Sequence, residues 1–99
     1  MPGAARLGDI GSAHDCFPPT SIISASSGVF INGIPAARVG DALQSHGCPC
    51  PKTPHGMHPR SISAGASGVF IDGKPAVRLG DAIGCGGSIV TASADVIIG

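Results

Sequence analysis

Residues 21–43, SIISASSGVFINGIPAARVGDAL, return as residues 61–83, SISAGASGVFIDGKPAVRLGDAI. The two stretches align without gaps at an offset of 40, with 14 identities in 23 positions. A fixed internal period marks a body built from one repeated supersecondary unit. The ends of the chain carry the rest of the pattern. AARLGD at 4–9 matches the back half of the unit, AARVGD at 36–41, and SIVTASADVII at 88–98 matches its front half, SIISASSGVFI at 21–31. The chain thus holds two whole units and a third cut in two. A cut unit is completed only when the two termini meet in space. The repeat therefore predicts a closed body of pseudo-threefold symmetry, since an open solenoid needs capping repeats at its ends.

Each unit reads as a β-hairpin. Val29-Phe30-Ile31 is a short run of branched and aromatic residues, followed by Asn32-Gly33, with Asp72-Gly73 in the second copy. Both dipeptides favour a type I′ turn, whose two central residues take positive φ. Pro35 and Pro75 come next and suit an edge or a strand start. Ala36-Ala37-Arg38-Val39 reads as the second strand, closed by Gly40-Asp41. No segment carries a clear helical period, although residues 41–60 leave room for one short helix. The expected class is all-β with little or no helix.

Composition narrows the function. Ninety-nine residues make one domain, 1–99. The apolar residues are mainly Ala, Val and Ile, with three Phe and no Trp or Tyr, so the core is thin and an added staple or partner is expected. Gly and Pro together make 16 + 9 = 25 residues, but they fall on the repeat, which points to ordered turns and not to low complexity. Net formal charge is zero: no basic stripe for nucleic acid, no acidic run. No apolar stretch approaches the ~20 residues of a membrane span. The start, Met1 to Asp9, has no apolar signal core, so cytoplasmic synthesis is expected, where four Cys are thiols or metal ligands sooner than disulfides.

Counting forward from each Gly-Asp finds a zinc-type ligand three times. Asp9 is followed by four residues and His14, Asp41 by four residues and His46, and Asp81 by three residues and Cys85. A threefold body brings such positions around one axis. A tetrahedral metal needs a fourth ligand. The interval between successive Gly-Asp pairs is 32 residues and then 40, and the excess, within 47–60, holds His55 and His58. Either completes a His₃Cys set, which suits a structural Zn²⁺ with no open position. Cys16, Cys48 and Cys50 remain. They are small packed residues or, with the Cys48-Pro49-Cys50 pair, a thiol-rich zinc- or redox-responsive site.

Arg6, Arg38 and Arg78 each precede an Asp by three residues. We read these as turn carboxylates that accept backbone N–H groups and pair with the nearby guanidinium, not as catalytic machinery. All six acids are Asp, so a zinc hydrolase would lack a Glu base, and no nucleophile or phosphate-loop motif is present. The chain is expected not to be an enzyme.

At Pro35-Ala36-Ala37-Arg38 the sequence resembles the PAAR-repeat proteins, with Pro75-Ala76-Val77-Arg78 a near copy and Gly3-Ala4-Ala5-Arg6 a diverged one. The likeness covers the V-F-I-x-G-x-P-A-x-R-x-G-D hairpin twice, the two G-D-x4-H openings and Cys85, effectively the whole chain. The resemblance implies a short β cone, closed by a vertex metal site, that sits as a monomer on the blunt tip of a trimeric, β-helical VgrG-like spike of bacterial type VI secretion. It implies a structural part that sharpens the spike for membrane piercing, touches the target membrane only transiently and attaches effector proteins. On that pattern one Zn²⁺ is held by His14, His46, Cys85 and His58, with His55 the alternative fourth ligand. The apolar triplets Val29-Phe30-Ile31, Val69-Phe70-Ile71 and Val96-Ile97-Ile98 are the partner-binding candidates, one face of each filling the cone and the other meeting the spike. The protein would then pass from the cytoplasm to the spike tip and out of the cell.

Overall fold

The computed structural model describes residues 2–13, 18–46, 58–84 and 86–99. They contain eight short strands: β1 (Ile10–Gly11), β2 (Thr20–Ser21), β3 (Phe30–Ile31), β4 (Ile34–Pro35), β5 (Ala42–His46), β6 (His58–Ser61), β7 (Phe70–Ile71) and β8 (Lys74–Pro75). They pair as four antiparallel hairpins, β1–β2, β3–β4, β5–β6 and β7–β8. Among the described residues there is no helix, as an all-β fold requires. The room left for a helix in 41–60 is taken at both ends by β5 and β6, because Ala42 pairs with Ser61 and Leu43 with Arg60. Residues 47–57 lie outside the described residues.

The hairpin turns form as the dipeptides dictate. Asn32 and Asp72 both have φ 55°, and Gly33 and Gly73 have φ 76° and 77°, the positive pair of a type I′ turn. The two-residue turn sets Ile31 opposite Ile34 and Phe30 opposite Pro35. The returning strand is therefore Ile34–Pro35, not Ala36–Val39. Proline lacks an N–H but keeps its carbonyl, and Pro35 uses that carbonyl outside its own unit, accepting from Leu7 N at 2.8 Å.

From that residue onward the backbone bonds run between units, and they close a ring. Ala37 N donates to Ala5 O (3.0 Å), Ala5 N to Val77 O (2.9 Å) and Val77 N to Ala37 O (3.2 Å). The bridges obey the same rotation: Ala36 with Arg6, Ala76 with Arg38, Ala4 with Arg78. The cut unit is made whole where Ala4 N donates to Val96 O at 2.8 Å, the counterpart of Ala36 to Val29 and Ala76 to Val69, both 2.9 Å. The termini meet, and the symmetry read from the repeat is present bond by bond. The long axis is 42 Å against two near-equal transverse extents of 24 and 22 Å, the proportions of an elongated body around a threefold axis.

Ring residues alternate between two small cores. Ala4, Ala36 and Ala76 join Ile31, Ile71, Ile98 and Ala66 on one side. Ala5, Ala37 and Val77 join Ile22, Ile62, Ile89, Leu43 and Ile83 on the other. Small side chains are needed at the ring because three backbones meet at the axis, which leaves no volume for larger ones.

The repeated aspartates hold the turns that follow. Asp41 Oδ2 accepts from Arg38 N (2.7 Å) and Nε (3.0 Å), and Oδ1 from Arg38 Nη2 (2.8 Å). Asp9 with Arg6 and Asp81 with Arg78 repeat the arrangement. The remaining guanidinium nitrogen crosses to the next unit: Arg6 Nη1 to Asn32 Oδ1, Arg38 Nη1 to Asp72 Oδ2, Arg78 Nη1 to Gly99 O, at 3.1, 2.8 and 3.2 Å. These are three equivalent clasps around the ring.

A hydroxyl supports two of the three clasps. Ser93 Oγ bonds Asn32 Oδ1 at 2.6 Å, and Ser26, its counterpart, bonds Asp72. The third position pairs Ala66 with Gly99, where neither side chain is polar. The Asp72 carboxyl is held below its ordinary range by the Ser26 hydrogen bond and by Arg38. A depressed carboxyl stabilises the fold above its unfolded pKa and loses that contribution as pH falls through its folded value. A carboxyl-carbon NMR titration is therefore expected to place the Asp72 midpoint below 3.8; a midpoint at or above it would show that the clasp does not close in solution.

Candidate functional site

The fold has two ends of different chemistry. At one, three equivalent two-residue ladders stand side by side. Ile10 and Gly11 pair with Ser21 and Thr20, Ala42 and Leu43 with Ser61 and Arg60, and Ala82 with Ser88, with Ile83 N donating to Gly87 O at 3.1 Å. Each ladder returns through a connection, and the three connections leave the same layer. Every candidate metal ligand falls in one of them or at its foot. His14 belongs to the connection after Gly11, His46, His55 and His58 to the one after Leu43, and Cys85 to the one after Ile83.

The backbones of His46 and His58 oppose each other across β5–β6, beyond an irregularity that follows Leu43. His14, His55 and Cys85 lie outside the described residues, as do Cys16, Cys48 and Cys50. Among the described residues no group of three His, Cys, Asp or Glu gathers, because most of the candidate set is beyond them. The imidazole and thiolate donors of the candidate set suit Zn²⁺ in kind.

Beneath these connections lies a residue that spacing did not reveal. Arg60 is 2% exposed and is, among the described residues, the largest fully buried side chain. Its Nη2 donates to Ser12 O (2.7 Å) and Gly86 O (3.2 Å), and its Nη1 to Thr20 Oγ1 (3.0 Å) and Gly11 O (3.4 Å). Its threefold counterparts are Thr20 and Gly87, so one long side chain fills a layer that three would overfill. Glycine makes the room. A Cβ on Gly87 would stand 3.0 Å from Arg60 Nη2 and 2.7 Å from Ser12 Oγ, and one on Gly11 would strike Leu43 and Ile83. The available signal was that Arg60 is the one arginine with no Asp three residues on.

The opposite end is apolar and open. Within each triplet the strand alternation separates roles. Ile31, Ile71 and Ile98 are buried in the core that Ala4, Ala36 and Ala76 join, while Phe30, Phe70 and Ile97, the equivalent positions before them, are 57%, 59% and 45% exposed. Val29 and Val69 are also exposed, and Val96 is partly buried against the core. Core and surface thus share each triplet.

A family model described as the PAAR motif matches residues 11–91. The chain belongs to the PAAR-motif family. Membership ties this PAAR domain to the type VI secretion spike and to a structural role there. No curated protein matches the chain. Among its described residues no helix is long and apolar enough to cross a membrane.

Proposed function

We propose that this PAAR domain caps the blunt end of a trimeric, β-helical VgrG-like spike, docking through the face that carries Phe30, Phe70 and Ile97. The observation that supports this reading most strongly is the repeated exposure of one large apolar residue per unit at one end of a ring closed by threefold backbone bonds. Contiguous exposed apolar surface costs solubility unless a partner covers it, and three equivalent anchors match a partner that itself has three equivalent chains. Strands beside the anchors would extend the partner's sheets by backbone pairing. The domain acts by shape and stiffness, without catalysis: thrust on the base passes to the far end through the ring. Effectors attach to the same tip, which is made in the cytoplasm, assembles on the spike and leaves with it.

At the far end the reading assigns one structural Zn²⁺ to His14, His46, Cys85 and His58, with His55 as the alternative. Such an ion cross-links loops too short to build a core of their own. The thiol-responsive alternative rests on Cys16, Cys48 and Cys50, which lie outside the described residues.

Light scattering with the spike trimer encoded by the same genome is expected to show one domain per trimer. The double variant Phe30→Asp, Phe70→Asp is expected to weaken that complex at least about 100-fold, as loss of central anchors does, while its unfolding midpoint stays close to the parent's because both rings already face water. A parent protein that binds no such trimer would sink the reading.

A further inference from the structure

We propose that each chain of the spike presents one uncharged, apolar pocket that takes a phenylalanine, and that Ile97 underfills its pocket. This rests on the docking reading above. The anchors Phe30, Phe70 and Ile97 each stand opposite a returning residue, Pro35, Pro75 and Gly3 in turn. Two corners thus pair an aromatic ring with a proline ring, and the third pairs a smaller side chain with no ring at all. Its backbone is nevertheless built like the others. Gly3 bridges Ile97, Ile98 N donates to Pro2 O at 3.0 Å, and Ala4 N donates to Val96 O at 2.8 Å. All three anchors remain exposed.

The partner cannot follow this variation. A trimer of identical chains repeats one surface three times, whereas this chain changes its side chains from corner to corner. A site that receives Phe30 on one spike chain and Phe70 on the next therefore exists on the third, where it meets Ile97. The neighbouring positions set the chemistry of that site. Asn32, Asp72 and Gly99 share one equivalent position, and Ile34, Lys74 and Pro2 another. Neither position repeats a charge, and Asp72 is already paired with Arg38 at 2.8 Å. A fixed charge on the spike chain would find a counter-charge at one corner at most, and at the others would lose water without return. What recurs is apolar, so an uncharged apolar pocket is the surface that suits all three corners.

The test is affinity for the spike trimer by titration calorimetry, with urea unfolding of each variant alongside. Ile97→Phe is expected to bind about fivefold more tightly, the effect of burying roughly 40 Å² more apolar surface. Phe30→Ile and Phe70→Ile are expected to weaken binding by about fivefold each, and equally. The double variant Phe30→Ile, Ile97→Phe moves the odd corner around the ring and should keep the parent's affinity. Added sodium chloride should change the parent's affinity little, because no charge pair forms. Where the parent binds, Ile97→Phe that folds as stably but binds no more tightly overturns the proposal alone. Unequal effects of Phe30→Ile and Phe70→Ile do the same, as does a steep fall of affinity with salt. Should Ile97→Phe lower the unfolding midpoint, the two isoleucine variants decide, since they only remove bulk from side chains that face water. A parent that binds no spike trimer overturns the docking reading and the proposal with it.

Discussion

Replacing Asp41 by Ala is expected to lower the unfolding free energy by about 3 kcal/mol, because hydrogen bonds to a charged group contribute about 1.5–3 kcal/mol and loss of one partner strands the other. Its side chain is 4% exposed and accepts from Arg38 N, Nε and Nη2 and from Ser24 Oγ. Truncation leaves the turn N–H without its acceptor and half of the guanidinium fork unpaired. The Arg38–Asp72 clasp to the next unit is then anchored at one end only. At about 4–8 °C per kcal/mol for a domain of this size, the melting midpoint should fall by roughly 12–24 °C. Asp81→Ala should lose a similar amount, since Arg78 addresses it in the same way. Urea unfolding of both variants decides the matter. A loss below about 1 kcal/mol would mean that water replaces the carboxylate, as at exposed ion pairs, and that the turn carries little of the fold's stability.

On the zinc reading proposed above, chelation is expected to have the other large effect. A ligand that binds only the folded state at a thousandfold excess over its dissociation constant adds about 4 kcal/mol, and that contribution should vanish on chelation. The two small cores and the backbone ring owe nothing to the metal, so amide protection should survive at Ala5, Ala37 and Val77 and collapse near His46 and His58. His46→Ala and Cys85→Ala should each abolish stoichiometric zinc by mass spectrometry of the native protein. The pair His55→Ala and His58→Ala separates the fourth ligand: the variant that loses zinc names it. An unfolding midpoint that ignores both chelator and added zinc would remove the metal from the account.

Much of the architecture was legible because the repeat is a statement about backbone pairing. Gly-Asp, Asn-Gly and Asp-Gly recur where positive φ or a turn carboxylate is required, so the hairpins and the Arg–Asp turns could be placed before any coordinates. The split third unit was legible for the same reason: AARLGD and SIVTASADVII have each other as their only complement. Misplacing the second strand at Ala36–Val39 came from treating each unit as a closed hairpin. The dipeptide turn admits only Ile34–Pro35 opposite Phe30–Ile31, and the following residues pair with their neighbours.

For the candidate site, spacing from Gly-Asp nominated His14, His46 and Cys85 as equivalent positions of a threefold body. Arg60 was illegible because it breaks that symmetry: a residue present in one unit, opposite Thr20 and Gly87, leaves no period to detect.

The sequence by itself determined the threefold closure and the turn types. Each depends on local backbone chemistry repeated at a known interval. Only the tertiary structure decided which residue of each apolar triplet is core and which is surface, that Ile31, Ile71 and Ile98 face inward while Phe30, Phe70 and Ile97 face outward. It also decided that a single guanidinium fills the layer beneath the ladder end. Both are settled by the volume available where three chains meet at the axis, and that volume is a property of the packed ring that no single unit carries.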